Sequence, residues 1–187
     1  MAQRACLLIT FALFATAVLV APARTAAGAT VSFSPLHSGT DVGDTVTVNV
    51  TIDAATPDLR GASLVLEFDP AVVAPVSVLK GALVTAAPCP SFLAWLNEPA
   101  VGDSLAVDLA LLGCSIDGPG HVIELRFTGI APGFTALECR SLSLRNSLNQ
   151  TIPASCVPGS ITVGPISVEP HTWGRVKAAY RREGGLR

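Results

Sequence analysis

The chain is poor in charged residues, in aromatic residues and in helical patterns. Charged residues make up 14% and aromatic residues 5% of its 187 residues. The body from Thr30 to Val163 holds twelve acidic and five basic residues, a net charge of −7. An acidic surface repels phosphate groups. We therefore expect no nucleic acid partner.

No apolar run is long enough to anchor the chain in a bilayer. The longest, Ala5 to Val20, is shorter than the roughly 18 to 20 residues that a membrane span requires. It follows a short basic start and precedes small residues at 21–23 and 27–29, an order typical of a secretory signal peptide. We predict that residues 1–29 are a cleaved signal peptide. The mature protein is then secreted, or stays in the periplasm or at the cell surface, without a stable membrane span.

Residue combinations that catalysis or metal binding requires are missing. No G-x-S-x-G motif accompanies any of the three histidines, His37, His121 and His171. The nearest acid pairs for glycoside hydrolysis lie in turns or on solvent-facing positions, and they are Glu67 with Asp69 and Asp103 with Asp108. The twelve-residue acidic loop that binds calcium is also missing. We expect a protein that is not an enzyme and has no cofactor or metal site.

Close-set cysteine pairs of the zinc-binding kind are absent as well. Cleavage of the signal removes Cys6 and leaves four cysteines, an even number that indicates disulfides in an exported chain. Turn-like sequence lies midway between Cys89 and Cys114, and again midway between Cys139 and Cys156. We predict that these are the two bonded pairs and that each clamps one hairpin.

The chain is rich in period-two alternation of apolar and polar residues, the pattern of half-buried β-strands. Val46 to Ile52 and Leu105 to Leu111 place an aliphatic side chain at every second position. Clusters of Gly, Pro, Asp and Asn separate such runs. The pattern predicts an all-β fold, a two-sheet jelly-roll sandwich of about nine strands over residues 30–163.

The composition changes after Val163. Residues 164–187 carry five basic and two acidic residues. Two proline-containing turns form a linker, after which Thr172 can cap a short helix that has Trp173, Val176 and Tyr180 on one side. This basic tail is either an amphipathic helix that touches a membrane or an acidic partner, or a frayed or docked terminus.

The alternation also predicts a flat binding face. In the run from Leu105 to Leu111, small or polar residues stand between the aliphatic residues that are expected to be buried. In the neighbouring strand, Phe92, Ala94 and Leu96 alternate with Leu93, Trp95 and Asn97, and the pattern does not indicate which side is buried. Trp95 is the best partner-binding anchor if it faces outward, and a core residue otherwise. The predicted partner-binding residues are Ser63, Glu67, Trp95, Ser104, Ala106 and Asp108.

Three segments, in this order and spacing, resemble a bacterial cohesin domain: VGDTVTV at 42–48, GASLVLEFDP at 61–70 and GSITV at 159–163. The resemblance covers Val31 to Val163. Cohesins are jelly-roll modules that hold calcium-loaded dockerin modules in cellulose-degrading assemblies, and they look similar to cellulose-binding sandwiches. The resemblance therefore implies a non-catalytic scaffold or docking function with a dockerin-type protein partner. It places recognition on the strand ahead of Asp69-Pro70, at the positions of Gly61 and Ser63.

Direct binding of polysaccharide is the alternative function. It needs exposed aromatic side chains in a row. The supply is thin, since the whole chain has two Trp, one Tyr and seven Phe.

Overall fold

A computed structural model describes residues 28–98 and 102–164. Over these residues the chain forms twelve strands and one four-residue helix. In chain order the elements are β1 Ala29–Ser34, β2 His37–Thr40, β3 Thr45–Ile52, β4 Leu59–Glu67, β5 Val73–Lys80, α1 Ala82–Thr85, β6 Ser91–Trp95, β7 Ser104–Leu111, β8 Gly120–Gly129, β9 Gly133–Asn146, β10 Thr151–Ile152, β11 Ala154–Cys156 and β12 Gly159–Val163. The tail after Gly164 and nearly all of the predicted signal peptide lie outside the described residues.

The strands form two mixed sheets, which confirms the predicted all-β sandwich. One sheet has the order β11-β1-β3-β8-β5, and the other has the order β2-β12-β9-β4-β7-β6 with β10 beside β9. Two pairs are parallel, β1 with β11 and β2 with β12. The strand β1 begins at Ala29, one residue ahead of the predicted domain start, and the Ala29 N–H donates to the Pro153 carbonyl at 2.8 Å.

Alternation along the strands produces a single apolar core between the sheets. In β7 every second residue is buried, and in β3 Val48, Val50 and Ile52 are buried. Phe68 and Phe127 meet in this core edge to face, with ring centroids 5.8 Å apart. Each sheet therefore has one side against the core and one side directed outward.

The strand count exceeds the expected nine because the chain adds short strands at places where it crosses between the sheets. β1 continues into β2, and β11 continues into β12, each time after only two intervening residues. Strands of two to four residues are too short to show a period-two pattern. The helix α1 was also not expected, and it packs Val84 into the core. The residue before the helix is Gly81, and any side chain at this position would collide with the His121 carbonyl.

Both predicted disulfides are present. Cys89 and Cys114 lie just beyond the paired ends of β6 and β7, with Cα atoms 5.9 Å apart. Cys139 and Cys156 have Cα atoms 6.2 Å apart, and they join β9 of one sheet to β11 of the other. The hairpin expected around the second pair is only two residue pairs long. The second bond is therefore a link between sheets more than a hairpin clamp.

We expect removal of either disulfide to lower the free energy of unfolding by about 3 kcal/mol, because the closed loops are of similar length. The two double variants, C89A/C114A and C139A/C156A, should differ in where they loosen. Hydrogen exchange should rise along β6 in the first and along β11 and β1 in the second. Identical exchange patterns in the two variants would contradict the assignment of the second bond as a link between sheets.

Candidate functional site

The outward side of β6, β7, β4 and β9 forms a continuous surface, here named the outer face. Its direction follows from β7, in which Leu105, Val107, Leu109 and Leu111 are buried. The residues between them must then point to solvent. Pairing with β4 and β6 extends the same alternation to both neighbours.

Strand register arranges the outer face in rows that run across the sheet. From one end to the other, the rows are Phe92–Ala110–Gly61–Arg145, then Ala94–Asp108–Ser63–Ser143, then Ala106–Val65–Ser141, then Ser104–Glu67–Glu138. Most of these side chains are small. The middle of the face is therefore flat, and the larger charged groups stand at its two ends.

Five of the six residues predicted to bind a partner share this face: Ser63, Glu67, Ser104, Ala106 and Asp108. The Ser63 hydroxyl donates to Asp108 Oδ1 at 2.5 Å, and Glu67 forms an ion pair with Arg140 at 3.3 Å. The structure brings these residues together, and their role in partner binding stays a prediction.

Trp95 does not lie on the outer face, which corrects its placement as an outward anchor. It pairs with Val107, which is 1% exposed, and so points to the inner side and packs against the core. Its Nε1 donates to Asn97 Oδ1 at 3.2 Å. The same Asn97 oxygen accepts the Ala106 N–H at 2.8 Å, so the indole helps to close the end of the hairpin.

Phe92 takes the outward position on β6 that alternation left undecided, with 55% of its surface exposed. At the other end of the outer face, Phe134 on β9 is 63% exposed. Neither was chosen from the sequence. The run Phe92, Ala94, Leu96 carried the signal for the first, but only the register against β7 decides which side of β6 is outward.

One end of the outer face holds a groove of about 330 Å³, here named the basic groove. Arg60 and Arg145 line it above a floor of Gly61 and Ala110. Both guanidinium groups donate to main-chain carbonyls. Arg60 donates from Nη1 to Ser147 at 3.1 Å and from Nε to Leu111 of β7 at 3.4 Å, and Arg145 donates from Nη1 to Asn149 at 3.3 Å. Among the residues that line this groove there is no carboxylate.

The opposite end holds a groove of about 300 Å³, here named the acidic groove. Four carboxylates and the exposed Phe134 line it, and the carboxylates belong to Glu67, Asp69, Asp103 and Glu138. The Asp69 N–H donates to Thr135 Oγ1 at 2.7 Å, which holds the turn after β4 against β9. None of the groove's lining residues is cationic.

Behind the basic groove, Asp58 connects the start of β4 to the turn after β9. It lies in the left-handed region at φ 55° and its Oδ2 accepts the Ser147 hydroxyl at 2.6 Å and the Ser147 N–H at 3.2 Å. Hydrogen bonds from Ser115 and then Ser147 lower the pKa of the Asp58 carboxyl, and the charge of Arg60 adds to the effect. The carboxylate fixes the turn that carries the Ser147 and Asn149 carbonyls.

Comparison with known proteins assigns the family. A family model for the cohesin domain matches residues 29–133. The chain belongs to the cohesin family. The match covers both strands at the centre of the outer face, β4 and β7. Curated protein sequences gave no match.

Three solved structures illustrate the likeness in fold. A non-cellulosomal cohesin from Archaeoglobus fulgidus is 19% identical with a TM-score of 0.62, over 78% of this chain and 96% of that one. The cohesin of a type I cohesin–dockerin complex from Clostridium thermocellum is 14% identical with a TM-score of 0.57, over 73% and 92%. A cohesin of Acetivibrio cellulolyticus scaffoldin B, solved with a Cel5 dockerin, is 16% identical with a TM-score of 0.59, over 73% and 99%.

Within residues 28–98 and 102–164, His, Cys, Asp and Glu side chains form no group of three or more arranged to hold a metal ion. The same part of the chain contains no helix with the length and hydropathy of a membrane span.

We expect Trp95→Ala and Phe92→Ala to differ in their effect on stability, because the two side chains lie on opposite sides of β6. Trp95→Ala should lower the free energy of unfolding by about 2 kcal/mol, because a half-buried indole leaves the core. Phe92→Ala should change it by less than about 1 kcal/mol, because this ring is mostly in solvent. Urea unfolding of the two variants measures the difference, and equal losses would contradict the assignment of opposite sides.

The lowered pKa of Asp58 predicts a pH-dependent contribution to stability. A carboxyl with a lowered folded pKa stabilises the fold above its ordinary value of 3.8, and this contribution is lost as pH falls through the folded value. Asp58→Asn keeps a residue that tolerates positive φ but removes the charge. Its deficit in urea midpoint against the wild type should be full at pH 7 and smaller at pH 3. Ser147→Ala should reduce the same dependence in part, and a deficit that does not change with pH would count against this role.

Proposed function

We propose that the chain is a non-catalytic docking module that holds a protein partner of the dockerin type on its outer face. The observation that carries the proposal is the flat outward side of β6, β7, β4 and β9. In the described residues nothing covers this side, while its reverse is the core of the sandwich. Flat surfaces of low charge, with aromatic residues near the edges, suit protein partners.

Membership of the cohesin family supports a binding function without catalysis. Two of the solved structures described above are named as complexes of a cohesin with a dockerin. A protein partner follows from this likeness. The finer proposal is that the partner is a dockerin module in its calcium-loaded form.

The aromatic side chains favour protein over polysaccharide. A polysaccharide platform needs several rings in line, and on the outer face the exposed rings of Phe92 and Phe134 stand at opposite ends. The residues between them are mainly small or polar. Direct polysaccharide binding is therefore left as an outcome of the experiment.

Export is part of the proposal. Two disulfides, Cys89–Cys114 and Cys139–Cys156, suit an oxidising compartment, and the predicted signal peptide at residues 1–29 agrees with them. We propose that the mature module acts outside the cytoplasm, in an extracellular assembly that degrades polysaccharide.

Titration calorimetry with purified dockerin modules, in calcium and in EDTA, together with a pull-down on insoluble polysaccharide, tests the function. Ala106→Arg should weaken binding by at least about 30-fold, which corresponds to about 2 kcal/mol. The reason is that a long charged side chain then stands in the middle of a flat interface. Thr45→Arg is the matched control, since Thr45 is exposed on β3 of the opposite sheet. It should leave the affinity unchanged.

Two outcomes would defeat the proposal. One is retention on insoluble polysaccharide with no dockerin bound in calcium. The other is equal affinity of the wild type and Ala106→Arg for a dockerin that does bind, because that partner would then use another surface.

A further inference from the structure

The outer face carries opposite charge at its two ends. Arg60 and Arg145 line the basic groove without any carboxylate among the lining residues. Four carboxylates line the acidic groove without any cation. The only ion pair there, between Glu67 and Arg140, leaves the other three carboxylates without a cationic partner among the described residues.

The two ends are far enough apart to act separately. Gly61 lies in the row of the basic groove and Glu67 in the row of the acidic groove, six residues along β4. At about 3.3 Å per residue, the rows are about 20 Å apart. This is more than twice the Debye length of about 8 Å at physiological ionic strength. A partner that lies along the strands therefore meets two distinct fields and not one averaged charge.

The two arginines of the basic groove are positioned to bind an anion. Their main-chain acceptors, the carbonyls of Leu111, Ser147 and Asn149, fix the guanidinium groups beside the groove and do not neutralise them. Asp58 is close enough for its charge to interact with Arg60, but it is absent from the groove lining and accepts both donors of Ser147. The exposed side chain of Leu112 also lines the groove and adds apolar surface, and the exposed Phe92 lies at the β6 end of the same row.

We propose that the outer face fixes the direction in which its partner docks. The occupant is a protein segment along the strands, with acidic side chains in the basic groove and basic side chains in the acidic groove. This inference rests on the proposed function, because it assumes that the face binds protein. The reversed direction would place acidic side chains against four carboxylates, and a like-charge contact of this kind is strongly unfavourable.

A synthetic peptide with negative charge at one end and positive charge at the other tests the docking direction without the natural partner. The probe is a 14-residue alanine-based helix, about 21 Å long, with three glutamates in its first half and three lysines in its second. A nitroxide label is attached at one end or at the other. Paramagnetic broadening of the amide signals of the full domain then reports which end of the peptide lies near which groove.

The label at the glutamate end should broaden Gly61, Ala110 and Asn146, and the label at the lysine end should broaden Glu67, Ser104 and Glu138. R60E/R145E should weaken peptide binding about fivefold. The combined variant R60E/R145E/E67K/E138K should exchange the two broadening patterns. The control exchanges the pair on the opposite sheet, E124K/R126E, and should leave the patterns unchanged, because that pair faces away from the outer face.

Equal broadening at both ends from either label would overturn the proposal, and so would no broadening on the outer face at millimolar peptide. A fold check by amide spectra accompanies each variant. The dockerin titration keeps the two proposals separate. Docking that tolerates the combined charge exchange would retain the function and reject the direction, whereas absence of any dockerin binding would reject the function itself.

Discussion

The register of β7 between β4 and β6 determines everything that the outer face presents. Leu105, Val107, Leu109 and Leu111 fill the core from this one strand. A slip of one residue would turn all four to solvent, at a cost of about 1.5 to 3 kcal/mol for each side chain. No alternative register of β7 can compensate for the loss of all four side chains from the core. The small outward residues of β7 are consequently fixed opposite Ser63 and Val65 of β4.

This constraint explains why the fold was predictable from sequence and the site only in part. Alternation in β3, β4, β7 and β8 is long enough to identify two half-buried sheets, and it also orients Ser63, Ala106 and Asp108 outward. In β6 the alternation has no polar side, since both sides hold large apolar residues. A hairpin folded symmetrically about Cys89 and Cys114 would pair Trp95 with Asp108, on the outward side. The observed register pairs it with Val107.

The offset has a physical cause. The cysteines lie outside the ladder, where Gly113 at φ 97° turns the chain away from the strand, so the disulfide does not mark a row of the sheet. The basic groove was hidden for a related reason. Arg60 stands at an irregularity in the pairing of β4 with β9, and two of the three carbonyls that accept hydrogen bonds from the arginines belong to a turn. Neither feature follows a period of two, so pattern analysis could not locate them.

Rigidity connects the fold to the binding properties of the face. The Cys139–Cys156 bond ties β9, the strand that carries Arg145, to the opposite sheet, and the Cys89–Cys114 bond closes the hairpin of β6 and β7. A face held in this way loses little conformational freedom when a partner docks. Its small side chains, however, offer few deep pockets in which an anchor residue could be buried. On the proposed function, the selectivity of such a surface comes mainly from its charged ends. A mispaired charge penalises a wrong orientation more than contacts with small side chains favour the right one.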